Sequence, residues 1–263
     1  MNYKTAIILC GGKGSRMGQL GKKLPKTLVK VNNHPIIWYI INGLIRNSFN
    51  HFILPVGYKA KMIEKYFSKN FISKKIKIDI IRTGSDTSIS NRIYKIKKKV
   101  ISEDFLLLNG DAIFEFNLKK FFFDHQNKKS GITFIGCHAP LSYGVVGFKN
   151  KKIVSFEREM NFNSVSSSKR KNFKAYVYSG MSIMNKKVLN HSFKNFSNFE
   201  KELYPLLIKK YKSDFGSIKG FWHSIDNMKD LDSLKKTNNL NKFRAIKLIE
   251  KKNKKNEYKL LEK

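Results

Sequence analysis

The chain is poor in cysteine, in acidic residues and in arginine, and it has no apolar run long enough for a membrane. Cys10 and Cys137 are the only cysteines among 263 residues. Both stand in apolar, strand-like stretches, so they read as small buried side chains rather than as a disulfide framework or a metal pair. Apolar runs such as Ile53–Leu54–Pro55–Val56 and Phe105–Leu106–Leu107–Leu108 are far too short to cross a bilayer. Met1–Asn2–Tyr3–Lys4 leads straight into a strand-like run with no small-residue cleavage site behind it. No secretory leader is expected, and a cytosolic location is.

Acidic residues number 19 against 53 Lys plus Arg, a formal charge of +34. Such a balance invites a nucleic-acid reading, but only seven of the 53 cations are arginines. Arginine is the residue that reads base edges and phosphates bidentately. Lysine spread along the whole chain, with Asn, Ile and Phe beside it, is what A+T-rich coding produces on a solvated surface. No specific nucleic-acid partner is expected. A functional anion-binding or membrane-surface role for the charge stays open, and anionic substrates are attracted in either case.

What the chain does have is core-forming material, 41% hydrophobic residues, enough for a large α/β domain. Strand-like runs at 5–10, 51–56, 76–82, 104–109 and 132–138 alternate with helical patterns at 35–48, 59–70, 89–100 and 117–129. That alternation predicts parallel βαβ units with a sheet covered on both faces. Further strands are expected near 144–148, 151–157, 175–184 and 216–223, with helices at 198–212 and 227–239. The Ser/Asn-rich stretch 160–172 reads as a loop, either a surface excursion or a lid. Residues 1–240 are expected to form the domain, and the lysine-rich 241–263 a terminal helix or tail.

The chemistry concentrates behind the first strand. Gly11, Gly12 and Gly14 let the backbone turn sharply and approach a ligand, and amides at such a turn hold phosphate oxygens. Arg16 and Lys26 add fixed positive charge. No Gly–Lys–Ser/Thr closes the loop as a P-loop requires, and the spacing from Gly12 to Gly18 is one residue too long for a dinucleotide-binding turn. Asp111 follows a strand, where open α/β sheets bind ligands; a turn or capping role is the alternative there, and an N-cap role the alternative for Asp226. The six histidines lack metal-ligand spacing; His223, close to Asp226, is the one candidate for a substrate contact.

Gly11–Gly12–Lys13–Gly14–Ser15–Arg16 followed by Pro25–Lys26 resembles the signature of the sugar-phosphate nucleotidyltransferase family. The resemblance continues through 34–44, 56–67, 106–111 and 220–234, about residues 4 to 238. Trp222–x–x–x–Asp226 and the segment 82–100 are most similar to the glucose-1-phosphate cytidylyltransferase branch. The resemblance implies a Rossmann-like three-layer α/β fold with a mostly parallel central sheet and a small β-rich acceptor-binding subregion. It implies an enzyme that joins a nucleoside monophosphate, CMP from CTP in that branch, to a phosphorylated acceptor and releases pyrophosphate, in the service of nucleotide-sugar and polysaccharide synthesis. By the same resemblance, Leu9, Gly11, Gly12, Gly14, Ser15, Arg16, Lys26, Arg92 and Asp111 bind the nucleotide, with Arg16, Lys26 and Asp111 catalytic. Asp111 and Asp226 hold Mg²⁺. Tyr143, Gly144, Glu157, Ser179 and Gly180 meet the acceptor.

Three places depart from the family pattern. Ile89–Ser90–Asn91 stands where a glycine pair precedes Arg92, Phe156–Glu157–Arg158–Glu159–Met160 lacks the lysine and proline of the acceptor strand, and Ser179–Gly180 replaces Gly–Gly. All three lie on the base and acceptor side, which implies a changed acceptor. A guanylyl- or uridylyltransferase, a non-catalytic nucleotide-binding homologue and a homo-oligomer remain alternatives at this point.

Overall fold

A computed structural model describes residues 3–70, 75–137, 139–140, 145–149, 152–157, 161–162, 176–190, 196 and 198–236. Its first half is a succession of buried strands and amphipathic helices. Strand β1 (Thr5–Leu9) leads through the glycine loop to the short helix α1 (Gly18–Lys23). A small ladder of β2 (Lys30–Val31) and β3 (His34–Pro35) precedes α2 (Ile36–Arg46). Then come β4 (His51–Val56), α3 (Ala60–Asn70), β5 (Lys77–Arg82), α4 (Ile89–Ile96) and β6 (Asp104–Asn109). The next elements are β7 (Ala112–Glu115), α5 (Leu118–Asn127) and β8 (Ile132–Cys137).

In the second half, β9 (Ala139–Pro140) pairs with β12 (Asn161–Phe162), and β10 (Val145–Lys149) with β11 (Lys152–Glu157), both antiparallel. Strand β13 (Val177–Asn185), a π turn Phe199–Leu203, α6 (Tyr204–Lys210), β14 (Ser213–Ser217), β15 (Phe221–Ser224) and α7 (Met228–Lys236) complete the chain. Most of the 160–172 stretch and all of 241–263 lie outside the described residues.

The central sheet has seven strands in the order β14-β8-β13-β6-β1-β4-β5. From β5 to β6 all neighbours run parallel, the arrangement of a Rossmann half-domain. Strand β13 is antiparallel to both β6 and β8, so β8 is not a direct neighbour of β6 as unbroken βαβ succession implies. Strand pleating explains the continuous apolar runs. Ala6, Ile8, Phe52, Leu54, Leu106 and Leu108 face one core with α2, α3 and α5. Ile7, Ile53, Phe105 and Leu107 face a second core with α4 and the Phe199–Leu207 segment. Alternate residues thus feed two cores, and the fold has three layers. Cys10 and Cys137 are both free and buried. No described helix is long and apolar enough to cross a membrane.

The stretch 216–223 is not one strand. Strand β14 ends at Ser217 and the chain turns at Gly220, where a Cβ would come 2.5 Å from the Glu115 carbonyl. Beyond that turn it leaves the main sheet and β15 pairs antiparallel with β7, Ser224 opposite Ala112. Strand β7 has no counterpart in the sequence-based expectation, because four residues between an Asn–Gly–Asp turn and a helix carry too short a pattern to register.

Candidate functional site

The glycine loop leaves β1 at its carboxyl end, and the Gly110–Asp111 turn leaves β6 beside it. Strand order reverses at β1: β4 and β5 lie to one side, β6 to the other. Such a switch point opens a crevice by topology alone. Here it is a cleft of about 800 Å³, whose walls are the glycine loop, residues 85–89, Asn109–Asp111, Asn198–Glu200 and Asp226.

Each wall is placed by local chemistry. Gly14 sits at φ 63°, which a side chain would strain, and its carbonyl accepts the Met17 amide at 2.9 Å. Pro25, at φ −64° and ψ 144°, precedes a one-turn 3₁₀ helix that starts at Lys26. This turn tucks Lys26 under the loop: a Cβ on Gly14 would lie 3.4 Å from that of Lys26. Asp226 is not a helix cap. Asn227 Oδ1 accepts the Asp230 amide, while the Asp230 carboxylate accepts the amides of Asp226 and Asn227 at 2.8 and 3.1 Å. This reciprocal cap leaves the Asp226 carboxylate free to face the cleft. The Ile225 amide donates to the Asp111 carbonyl at 2.9 Å, extending the β7–β15 ladder, and so sets Asp226 beside Asp111.

At the centre one ammonium serves two carboxylates. Lys26 Nζ donates to Asp111 Oδ2 at 2.7 Å and to Asp226 Oδ1 at 3.1 Å. Arg16 reaches the same Asp226 oxygen at 3.1 Å, and Ser224 Oγ donates to the other at 3.1 Å. Burial pushes the Asp226 carboxyl pKa up, but Lys26, Arg16 and Ser224 outweigh it and hold it below the ordinary value. Cys10 also lines the cleft, yet burial and then Asp111 push its thiol far above the usual range despite Arg92, so it is no nucleophile at neutral pH. Among the described residues the lining cations Lys13, Arg16, Lys26 and Arg92 number four, as do the lining acids Asp86, Asp111, Glu200 and Asp226. In formal charge this described lining is neutral on a chain of +34.

Arg92 lines the cleft but is bonded inward. Its guanidinium donates to Thr83 Oγ1 at 2.6 Å, Gly84 O at 2.7 Å, Gly11 O at 3.0 Å and Ser85 O at 3.2 Å. A Cβ on Gly11 would fall 2.2 Å from Arg92 Nη1, so glycine there makes room for the guanidinium. Burial lowers the Arg92 pKa from its ordinary value, only partly offset by Asp86. The residue fastens the glycine loop to the 83–85 turn. Lys13 and Asp86 join the same two segments at the surface, 2.6 Å apart.

The cleft therefore gathers Leu9, Gly11, Gly12, Gly14, Ser15, Arg16, Lys26, Arg92, Asp111 and Asp226. Of the expected acceptor residues, Ser179 and Gly180 are described and do not line this cleft. Ser179 is buried with its hydroxyl donating to the Ile135 carbonyl at 2.6 Å, and its own carbonyl accepts the Trp222 indole N–H at 3.0 Å. Gly180, at φ 76°, backs onto Asn109, whose Nδ2 stands 2.7 Å from where a Cβ would be. Glu157 ends β11; Tyr143 and Gly144 lie outside the described residues. His223 sits 3.3 Å from the Asp230 carbonyl, stacks near Phe221 and is not on the cleft wall. Sequence reasoning missed Thr27, Asp86, Asn198 and Glu200. Asn198 Oδ1 accepts the amides of Glu200 and Lys201; its one legible signal is an Asn at the start of an apolar helical pattern.

Comparison with known proteins gives a consistent picture. A family model described as "Nucleotidyl transferase" matches residues 5–237. A protein of Bacillus subtilis (strain 168) named "Probable glucose-1-phosphate cytidylyltransferase" is 28% identical over 246 residues, covering 86% of this chain and 92% of that protein. The D-glycero-alpha-D-manno-heptose 1-phosphate guanylyltransferase of Aneurinibacillus thermoaerophilus is 30% identical over 158 residues, 59% of this chain and 67% of that one. The crystal structure of HddC from Yersinia pseudotuberculosis superposes with a TM-score of 0.66 at 21% identity, covering 92% of this chain and all of that one.

Proposed function

From the premise that this chain belongs to the nucleotidyl transferase family, we propose that it transfers a nucleoside monophosphate to the phosphate of a sugar phosphate, with CTP as the donor. A phosphate oxygen of the acceptor forms the new bond to the α-phosphorus, the bond from that phosphorus to the bridging oxygen breaks, and pyrophosphate leaves with the electron pair. The observation that carries the reading is the convergence of the glycine loop, Lys26, Asp111 and Asp226 in one cleft at the carboxyl ends of β1 and β6.

The residues divide the work by chemistry. The amides of Gly11, Gly12 and Gly14 suit triphosphate oxygens. Arg16, largely exposed, is free to follow the leaving pyrophosphate. Lys26, nearly enclosed, suits the charge that builds at the α-phosphorus. The donor set fits a hard divalent cation. Asp111 and Asp226 already share one cationic group, and a described lining of no net formal charge calls for added positive charge to accept a polyanion. Among the described residues no cluster of three or more metal-ligating side chains occurs, so two carboxylates would hold Mg²⁺ and leave its other positions to phosphate and water. Bound there, the ion would neutralise phosphate charge.

The cytidylyl assignment rests on likeness to the Bacillus subtilis protein over most of both chains. The second reading, a guanylyl donor, has the heptose-phosphate relative in its favour. A pyrophosphate-release assay decides, with CTP, GTP, UTP, ATP and dTTP, Mg²⁺ and a panel of sugar 1-phosphates, products identified by mass spectrometry. We expect release with CTP and its loss in Asp111→Ala. Release with GTP alone refutes the base assignment. Nucleotide binding without release from any pair refutes the enzymatic reading.

A further inference from the structure

A second cleft, of about 500 Å³, lies at the opposite, amino end of the central sheet. Its floor is where β6 begins at Asp104, β13 ends at Asn185, and β8 and β14 begin just after Gly131 and Lys212. Strand β6 alone separates it from the candidate active site by roughly 20 Å.

Four lysines from three parts of the chain line this cleft: Lys129, Lys187, Lys210 and Lys212. Among the described residues none of the four ammonium groups is in an ion pair, although the adjacent Lys128 is paired with Asp214 at 2.8 Å. Among the described residues the one lining carboxylate, Asp104, is already engaged. It accepts Gln126 Nε2 at 3.1 Å and Asn185 Nδ2 at 2.9 Å, and the same Asn185 nitrogen also reaches Glu103 at 3.2 Å. Four ammonium groups against one lining carboxylate leave a net charge of three.

Lysines alone would be surface. Beneath them, however, a buried hydroxyl on the cleft wall is unsatisfied. Ser130 is 4% exposed and its Oγ has no hydrogen-bond partner among the described residues. The neighbouring His125 is 1% exposed and already engaged: its Nδ1 meets Thr133 Oγ1 at 2.7 Å and its Nε2 faces Asp104 Oδ1 at 3.4 Å. Buried polar atoms without partners are uncommon and point to a missing partner. A buried hydroxyl and a fence of ammonium groups together are donors without a matching acceptor. Phosphate oxygens, several acceptors carrying two or three negative charges, supply it. The volume fits a small molecule.

We propose that this amino-end cleft binds a small phosphate-bearing anion, at a site separate from the nucleotide cleft. Amide NMR of the full chain tests it, with sodium phosphate and sodium pyrophosphate titrated against sodium chloride at matched ionic strength. Saturable shifts are expected at the amides of Ser130, Gly131 and Lys212. Lys210→Glu with Lys212→Glu should weaken that saturation at least tenfold, and Ser130→Ala about threefold. Gly12 and Gly14, which report on the other cleft, should respond as in the parent, and unshifted resonances elsewhere establish that the variants are folded. Tighter saturation by pyrophosphate than by phosphate assigns a diphosphate ligand; equal saturation assigns a single phosphate group. Shifts reproduced by chloride, shifts without saturation, or undiminished affinity in the charge-reversed variant each overturn the proposal. None of these outcomes bears on turnover at the nucleotide cleft, so the two readings fail independently.

Discussion

Replacing Arg92 by alanine separates a fastening role from a base-reading one. Of its four hydrogen bonds, those to Thr83 Oγ1 and Gly11 O are fully enclosed, while those to Gly84 O and Ser85 O are only partly so. A hydrogen bond from a charged donor is worth about 1.5–3 kcal/mol net. Counting the two enclosed bonds at the low end, and letting water replace the other two, gives a loss of about 3–4 kcal/mol. For a chain of this size that lowers Tm by roughly 6–16 °C, and urea unfolding should show a corresponding fall in midpoint with an unchanged m-value. Gly11→Ala should be destabilising in the parent, because its Cβ meets the guanidinium at 2.2 Å, and nearly silent in the Arg92→Ala background. Non-additivity of that kind marks a shared cause. If Arg92→Ala costs under about 1 kcal/mol while nucleotide affinity collapses, the side chain reads the ligand instead of holding the loop, and the fastening argument is wrong.

Further expectations concern the carboxylate pair and its supports. Lys26→Ala should slow turnover far more than it weakens triphosphate binding, and should tighten Mg²⁺ binding in the absence of nucleotide, since the ammonium then no longer competes; equal losses of rate and affinity would contradict the role given to it. Asp226 has a lowered pKa, so its stabilising effect is present above the unfolded carboxylate value near 4 and lost as pH falls through the lower folded value. The stability gap between parent and Asp226→Asn, followed by urea melts from pH 6 downward, should therefore narrow below about pH 4; a gap that is flat with pH would show that the pairing has no energetic weight. Asp230→Ala removes acceptors for two amides and should cost about 1 kcal/mol as a cap loss. It should also depress turnover although Asp230 is not on the cleft wall, and unchanged kinetics would show that the cap does not position Asp226.

The first strand, the glycine turn and the alternation of strands with helices were legible in the sequence because each is local. After Thr5, Ala6–Leu9 is apolar at every position, as a strand covered on both faces must be. Gly14 supplies a left-handed turn that few other residues adopt. The helical period at 89–100 marked α4, which Ser88 caps by accepting the Asn91 amide. The spacing of Pro25 and Lys26 from the loop likewise reads directly.

Tertiary structure decided what long-range pairing controls. That β13 inserts antiparallel between β6 and β8 is a matter of register across the sheet, which no local period encodes. Asp226 meets Asp111 only because β7 and β15 pair; β7 is too short to announce itself, and β15 reads as one strand with β14 in the sequence. The inward turn of Arg92 needed the loops after β1 and β5 to be in place around it. The unpartnered hydroxyl under the lysine fence, that of Ser130, belonged to an ordinary polar residue until folding buried it. A sequence fixes which residues prefer to turn, extend or hide; which distant charges and donors end up facing each other is settled by the packing of strands whose pairing energy comes from the whole sheet.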